Sequence, residues 1–257
     1  MEPQDFIDLS MFFFWFAFGV YSTYWFFGFF GKKVRFFALL TGIVLQLTSI
    51  TLRGIAIDYF PLTNKFESFA SFAASTFIIL LIYSRVESKT YRIILYGIGY
   101  AFLLASLKFP KGLSYAPPLM LTIWYPLHVP LSFFCYALWT SSMAAGIAWF
   151  FSNRKENVPY TELIDDGFLY GLVVFSISMI FGGLWGYVAW GSYFLWDPKV
   201  LWSVIVWFFY ATCIHIDYWS ALGGAKRLKP SLSIIGFLIM LTTYVGTSFF
   251  SQSSHRF

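Results

Sequence analysis

The sequence predicts an all-α integral membrane protein with about eight transmembrane helices. Of its 257 residues, 59% are hydrophobic and 24% aromatic, whereas only 11% are charged, and the mean hydropathy is +0.69. A soluble domain of this length could not cover so much apolar surface, so many of these side chains must face lipid. No soluble domain, long linker or internal repeat interrupts the pattern. We therefore expect residues 1–257 to form a single polytopic membrane domain.

Windows of about 20 apolar residues define the predicted helices, because that length crosses the hydrocarbon core of a bilayer. Their approximate bounds are 9–30, 36–52, 67–83, 93–107, 129–151, 167–188, 200–219 and 231–250. The first run is too long for a cleavable signal peptide and lacks a basic leader, so we expect it to remain as a helix. The fourth is the shortest, but omitting it would break the alternation of loops rich and poor in basic residues.

Basic residues concentrate on one side of the predicted bundle. Eleven of the 17 lysines and arginines follow the first, third, fifth and seventh spans. The positive-inside rule makes those loops cytoplasmic, which places both termini and the loop at about 185–202 on the outer face. The net charge of +5 thus reflects topology, and we expect a lipid bilayer rather than nucleic acid as partner. The two cysteines, Cys135 and Cys213, lie in apolar spans and predict neither a disulfide framework nor a CxxC site.

The loop at about 185–202 is unusually rich in aromatic rings. Interfacial tryptophans are common in membrane proteins, and that explanation suffices for Trp185 and Trp202 at its ends. The segment between them is denser in rings than an interface requires, which indicates a flat apolar seat for a planar ligand. Its residues of interest are Trp190, Gly191, Tyr193, Phe194, Trp196, Asp197 and Pro198.

Two of the three histidines fall on the same face as this loop. His128 precedes the fifth span and His255 follows the eighth. Either alone is more often an ordinary surface residue, but together they could bind a haem iron at both axial positions. His215 lies within the seventh span, on one helical stripe with Trp207 and Ala211, and an ionisable group at that depth is a functional candidate. The alternative for His215 is a hydrogen bond to a neighbouring helix.

These residues carry a family resemblance. Residues 190–202 closely resemble the WWD motif of the CcsA/ResC family of System II cytochrome c biogenesis, and residues 61–68 resemble that family's outward segment. His128 and His255 look like the family's external histidines, and His215 falls where its membrane-embedded histidine lies. The resemblance covers about residues 36–257. Phe194 departs from the pattern by replacing a tryptophan, and Val200 by replacing an acidic residue.

The resemblance implies that haem b is both ligand and substrate. Haem would be held by His215 and a histidine of a CcsB/ResB-type partner, and would then pass outward to His128 and His255. There it would be attached through thioether bonds to the CxxCH sequence of an apocytochrome c, with a thioredoxin-like reductant keeping the thiols reduced. This is cytochrome c synthase activity within a complex, in a bacterial inner membrane or, for a plastid-type protein, a thylakoid membrane. With one histidine unpaired, the chain is not expected to work alone.

Each supporting role has an alternative. Asp197 could fix an imidazole tautomer by accepting its N–H, or could simply form an Asp-Pro turn with its carboxylate in water. Arg53 could pair with haem propionates or anchor the chain at the interface. The expected catalytic residues are His128, His255 and Asp197, and the expected haem-binding residues are Trp190, Gly191, Tyr193, Phe194, Trp196, Asp197, Pro198, Trp202, Trp207 and Arg53, with iron held by His128, His255 and His215.

Two other functions remain open at this point. A haem exporter similar to CcmC would hand haem to a chaperone without forming a bond, although that family is expected to have six spans and no equivalent of His215. A membrane electron carrier or quinone-reactive haem subunit would usually pair its histidines between helices within the membrane. Here two of the three are expected at the outer surface.

Overall fold

The computed structural model describes residues 2–152, 158–218 and 225–247, and all regular structure among them is helical. The eight longer helices are α1 (Pro3–Ser22), α2 (Lys32–Ile57), α3 (Lys65–Ile82), α4 (Lys89–Ser106), α5 (Trp124–Phe151), α6 (Tyr160–Trp190), α7 (Pro198–Ile214) and α8 (Ala225–Leu241). Each predicted span overlaps one of these helices in order. The all-α fold class is therefore confirmed.

Six segments in the described ranges are long and apolar enough to cross a membrane. They are α1, α2, α3, α5, α6 and Leu228–Gly246, which comprises most of α8 and the π-helical turn after it. Helix α7 is apolar but shorter, at 17 residues, and α4 is not among the six. The count of eight spans and the outward orientation of both termini stay predictions.

Most helix boundaries differ from the predicted spans; α1, for example, ends at Ser22 and not at residue 30. Helix α5 begins at Trp124, before Pro126, because a proline in the first helical turn forfeits no intrahelical hydrogen bond. Helix α6 begins at Tyr160 and includes two aspartates that a hydropathy window excludes but a helix tolerates. Helix α7 ends at Ile214 rather than continuing to residue 219, and a short 3₁₀ helix, Ile216–Tyr218, follows it.

The chain divides into two compact units. The first comprises Met1–Arg85 and Tyr96–Leu121, and the second comprises Val86–Leu95 and Thr122–Phe257. In the first unit α1 is tied to α2 by the Tyr21 hydroxyl, which donates to Oε1 of Gln46 at 2.9 Å, and Gln46 Nε2 donates on to the Ala70 carbonyl of α3. That the whole chain is one membrane domain stays a prediction.

Close helix packing forms the core of the second unit. A Cβ atom at Gly167 of α6 would lie 2.5 Å from Cβ of Ser142 in α5, so the two helices approach at small residues, as membrane helices commonly do. Trp139 of α5 stacks on Tyr210 of α7 with ring centroids 3.9 Å apart, and both side chains are fully buried. The helices that carry the aromatic loop are therefore fixed against a rigid core.

Candidate functional site

Gly191 ends α6 and starts the aromatic loop. Its φ of +72° is left-handed, a conformation that glycine adopts without the steric penalty of a Cβ, and its N–H donates to the Tyr187 carbonyl at 2.9 Å. The chain then turns back over the last turns of α6. A Cβ at Gly186 would lie 3.1 Å from the Ser192 carbonyl oxygen, and one at Gly183 would lie 3.4 Å from that of Tyr193. Gly186 thus allows the loop to pack closely on the helix, whereas a Cβ at Gly183 would make only an ordinary contact.

Three rings of the loop form an exposed aromatic surface. The exposed fractions are 84% for Trp196, 62% for Tyr193 and 43% for Phe194. Phe194 and Trp196 meet edge to face with centroids 5.5 Å apart, and Tyr193 stacks on Tyr187 of α6 at 4.5 Å. These contacts hold the rings in place without covering them. We refer to Tyr193, Phe194 and Trp196 as the aromatic surface.

The two outer tryptophans of the motif are less exposed than this surface. Trp190 is half-buried and packs edge to face on Trp185 at 4.8 Å, and Trp185 is 2% exposed. Trp202 is also half-buried, in α7. Trp185, which interfacial preference alone would explain from sequence, is therefore a core residue that connects the loop to its neighbours.

Asp197 is the N-cap of α7, and Pro198 is the first residue of that helix. Oδ1 of Asp197 accepts the backbone N–H of Lys199 at 2.9 Å, which satisfies one of the free donors at the helix start. The expected Asp-Pro turn is present. Its carboxylate is only 6% exposed, however, and does not lie in water as that interpretation assumed. A role for Asp197 toward an imidazole stays a prediction.

His128 is held by a hydrogen bond from its Nδ1. That atom lies 2.8 Å from the carbonyl oxygen of Ser178 in α6. A carbonyl oxygen can only accept, so Nδ1 carries a proton, and in the neutral imidazole Nε2 is then the nitrogen with the lone pair. The ring lies against Gly182, where a Cβ would be 2.8 Å from both Cε1 and Nδ1, and is nearly parallel to Trp185 at 6.2 Å. His128 is therefore linked through Trp185 to the loop.

Sequence reasoning missed Ser178, which is fully buried beside this histidine. Its hydroxyl donates to the His128 carbonyl at 2.8 Å and lies 2.7 Å from the hydroxyl of Ser132, which itself donates to the same carbonyl at 3.1 Å. The available signal was a serine four residues before Gly182 on α6. That spacing puts both on the face that receives the imidazole.

His215 caps the C-terminus of α7 and is exposed. Its Nδ1 lies 2.7 Å from the Ala211 carbonyl oxygen and donates to it, so the neutral ring has the same tautomer as that of His128, with the lone pair on Nε2. His215 and Ala211 of the predicted stripe are therefore in contact. Trp207, however, is half-buried and donates from Nε1 to Oγ of Ser176 in α6 at 2.8 Å.

Arg53 is placed differently from the expectation of an outward basic residue. It lies in the first unit, only 1% exposed, and its Nε donates to Oε1 of Glu67 at 2.8 Å. Its Nη atoms donate to the carbonyls of Lys111 and Gly112 at 2.9 and 3.2 Å. Glu67 lies in the first turn of α3, and its carboxylate binds this guanidinium. The structure therefore gives Arg53 a buried structural pairing, and propionate binding stays a prediction.

His255 lies outside the described residues. Within the described ranges, no three His, Cys, Asp or Glu side chains cluster in a way that could hold a bare metal ion. The donor chemistry fits haem better, because the macrocycle supplies four nitrogen ligands and the protein only one or two axial imidazoles. His128 and His215 each offer one such Nε2.

Residues 9–255 match the sequence model of the family described as "Cytochrome C assembly protein". A "Cytochrome c biogenesis protein CcsA" from Porphyra purpurea is 26% identical over an alignment of 280 positions. The alignment covers 88% of this chain and 87% of that protein. Another of the same name, from Prochlorococcus marinus, is 25% identical over 258 residues, covering 83% and 80%.

A solved structure, "Cytochrome c Heme Lyase CcmF", superposes with a TM-score of 0.65 at 16% identity. The match covers 99% of this chain and 48% of that one, so this chain spans about half the length of the solved protein. At this identity the similarity shows a shared fold.

Proposed function

Because this chain belongs to the CcsA/ResC family of cytochrome c assembly proteins, we propose that it handles haem during cytochrome c maturation. The observation that carries the proposal is the position of His128. Its tautomer leaves Nε2 free for iron, and Trp185 links it to a loop that exposes three aromatic rings. Haem is here a substrate, received and passed on.

The aromatic surface supplies the area that a planar macrocycle requires. Tyr193, Phe194 and Trp196 are fixed by mutual and neighbouring ring contacts, so little side-chain freedom is lost when a ligand covers them. His128 provides one axial ligand, and we propose that His255 provides the other. Asp197, held at the start of α7, fixes the end of the loop.

We further propose that the chain attaches haem covalently to apocytochrome c. Each cysteine thiol of a CxxCH sequence adds across a haem vinyl group, with sulfur bonding to one vinyl carbon and the hydrogen to the other. The substrate's own thiols are the nucleophiles, and a thioredoxin-like reductant keeps them reduced. The chain then contributes mainly by holding haem and thiols in a reactive geometry. The substrate histidine replaces an axial imidazole as the product leaves.

His215 is proposed as the earlier site of the same path. Its imidazole is exposed, and we propose that a CcsB/ResB-type membrane partner supplies the other axial ligand. Haem passes from this site to His128 and His255. The setting is a bacterial inner membrane or a thylakoid membrane, in keeping with the six apolar spans of the described chain.

Covalent attachment is tested by co-expressing the chain with a CxxCH apocytochrome, with and without a CcsB/ResB-type partner. Haem that stays with the cytochrome after denaturing electrophoresis measures the product, and an apocytochrome with both cysteines replaced by serine is the control. We expect product only with partner and thiols present. Haem release without a covalent product would instead favour the exporter, and full activity of the lone chain would contradict the requirement for a partner.

A further inference from the structure

A buried lysine joins three helical segments at the end of α7. Nζ of Lys229, in α8, lies 2.8 Å from Asp165 of α6 and 2.6 Å from Oδ2 of Asp217. The lysine side chain is 3% exposed, whereas those of the aspartates are 46% and 53% exposed. The ammonium is thus enclosed, and the carboxylates reach it from the surface.

Asp217 belongs to the 3₁₀ helix that immediately follows His215. Among the described residues, two backbone hydrogen bonds lie at this turn: the N–H of His215 donates to the Thr212 carbonyl, and that of Tyr218 donates to the His215 carbonyl. Short 3₁₀ turns have poorer hydrogen-bond geometry than α-helices, so tertiary attachments decide how firmly they are held. The hydrogen bond that Lys229 Nζ donates to Asp217 is such an attachment, and Asp217 is two residues after His215 in sequence.

We propose that Lys229, through Asp217, is a positioning residue for His215 and holds the turn that presents its Nε2. The inference rests on the proposed function, in which His215 binds haem iron. Asp165 completes the charge pairing of the ammonium, but it belongs to α6 and not to the turn itself. The two aspartates therefore have separable roles: Asp217 fixes the turn, and Asp165 keeps Lys229 paired.

This separation provides a matched pair of variants. Asp217→Asn and Asp165→Asn each remove one of two carboxylates from the same ammonium, and both leave it one charged partner. Asp165→Asn keeps the ion pair between Lys229 and Asp217, which attaches the His215 turn. Asp217→Asn keeps only the ion pair between Lys229 and Asp165 of α6. Lys229→Met removes both pairs, but it leaves two carboxylates together and carries a greater risk of misfolding. The comparison of the aspartate variants decides the question without it.

The first readout needs no haem. Hydrogen exchange of the His215 and Tyr218 amides is measured by mass spectrometry on haem-free protein in detergent. We expect roughly tenfold or faster exchange in Asp217→Asn and less than about threefold change in Asp165→Asn, because only the first frees the turn. Equal exchange in the two variants would overturn the proposal.

The second readout is the absorption spectrum of haem bound to the protein purified with its partner. The contribution of His215 is the part of the low-spin haem signal that His215→Gly loses and that added imidazole restores. Asp217→Asn should lose at least half of this part and recover it with imidazole. Asp165→Asn should keep all of it. If His215→Gly changes nothing, the inner site of the proposed function fails and the exchange result stands separately. If only His215→Gly changes the spectrum, the positioning role is wrong.

Discussion

The Nδ1 atom of His128 lies 2.8 Å from the carbonyl oxygen of Ser178, so α6 sets the tautomer of a histidine on α5. The buried Ser178 hydroxyl bonds to the backbone of the same histidine, which holds the two helices in register at this point. A metal-binding histidine commonly has its second nitrogen fixed in this way. Gly182 of α6 lies directly against the same ring.

Gly182→Ala should displace the His128 imidazole. The added Cβ would lie 2.8 Å from Cε1 and Nδ1, so the ring must move and its bond to Ser178 must weaken. The hydrogen bond to Ser178 holds the ring in place for binding iron, and it is worth about 1 kcal/mol. Its loss predicts roughly fivefold weaker haem binding. The measurement is a haem titration followed by absorption.

The control for this variant is Gly183→Ala. A Cβ there meets only the Tyr193 carbonyl oxygen, at 3.4 Å, which is ordinary van der Waals contact. It should bind haem as the wild type does. Equal losses in both variants would show that the effect comes from the loop or the helix rather than from the imidazole.

Trp196→Ala should weaken haem binding without affecting folding. The ring is 84% exposed, so its removal deletes little buried area, but an aromatic contact worth about 1 kcal/mol with a planar ligand is lost. We expect roughly fivefold less retained haem and an unchanged thermal unfolding midpoint in detergent. Trp15→Ala, at a 49% exposed ring of α1, is the control and should retain haem fully. Unchanged haem in Trp196→Ala would argue against the aromatic surface.

Gly191→Ala should destabilise the loop by about 1 kcal/mol, because a residue with a Cβ is strained at a φ of +72°. Gly97→Ala is the comparison: this glycine is within α4, and a Cβ there meets nothing within 4 Å. Replacing a helical glycine by alanine should raise stability by about 0.5–1 kcal/mol. Thermal unfolding of the two variants should therefore shift in opposite directions, and a stabilised Gly191→Ala would contradict the assigned backbone conformation.

Arg53→Met should be strongly destabilising, by roughly 3 kcal/mol or more, since it leaves the 4% exposed Glu67 carboxylate without its cation. Glu67→Gln should have a comparable effect, and the double variant should cost less than the sum of the two. Arg85→Met, at an exposed arginine, should change stability by less than about 0.5 kcal/mol. A normally stable Arg53→Met that binds less haem would instead support propionate binding.

The sequence predicted local features of the site well. The predicted spans stop at 188 and resume at 200, within two residues of the observed end of α6 at Trp190 and start of α7 at Pro198. Gly191 and Asp197 set these ends as a left-handed C-cap and an N-cap. The exposed rings of the loop followed from composition. Helix order was predictable for the same reason, since long apolar runs determine it.

Pairings between helices could not be predicted. Ser178 and His128 are 50 residues apart, and their contact depends on the relative rotation of α5 and α6. The burial of Arg53 depends on Glu67, 14 residues away, and on the carbonyls of a loop that sequence patterns do not position. Helix α7 ends at Ile214, short of the predicted residue 219, and the 3₁₀ turn that follows it is bonded through Asp217 to Lys229 of α8.

The most direct test of the account is the absorption spectrum of the protein purified with its partner, as wild type and as His128→Gly, each with and without added imidazole. The account predicts a low-spin bis-imidazole haem spectrum in the wild type. In His128→Gly part of that signal should be lost and then restored by imidazole, which can occupy the vacated axial position. A His128→Gly spectrum identical to wild type before imidazole is added would contradict the assignment of His128 as an iron ligand beside the aromatic surface.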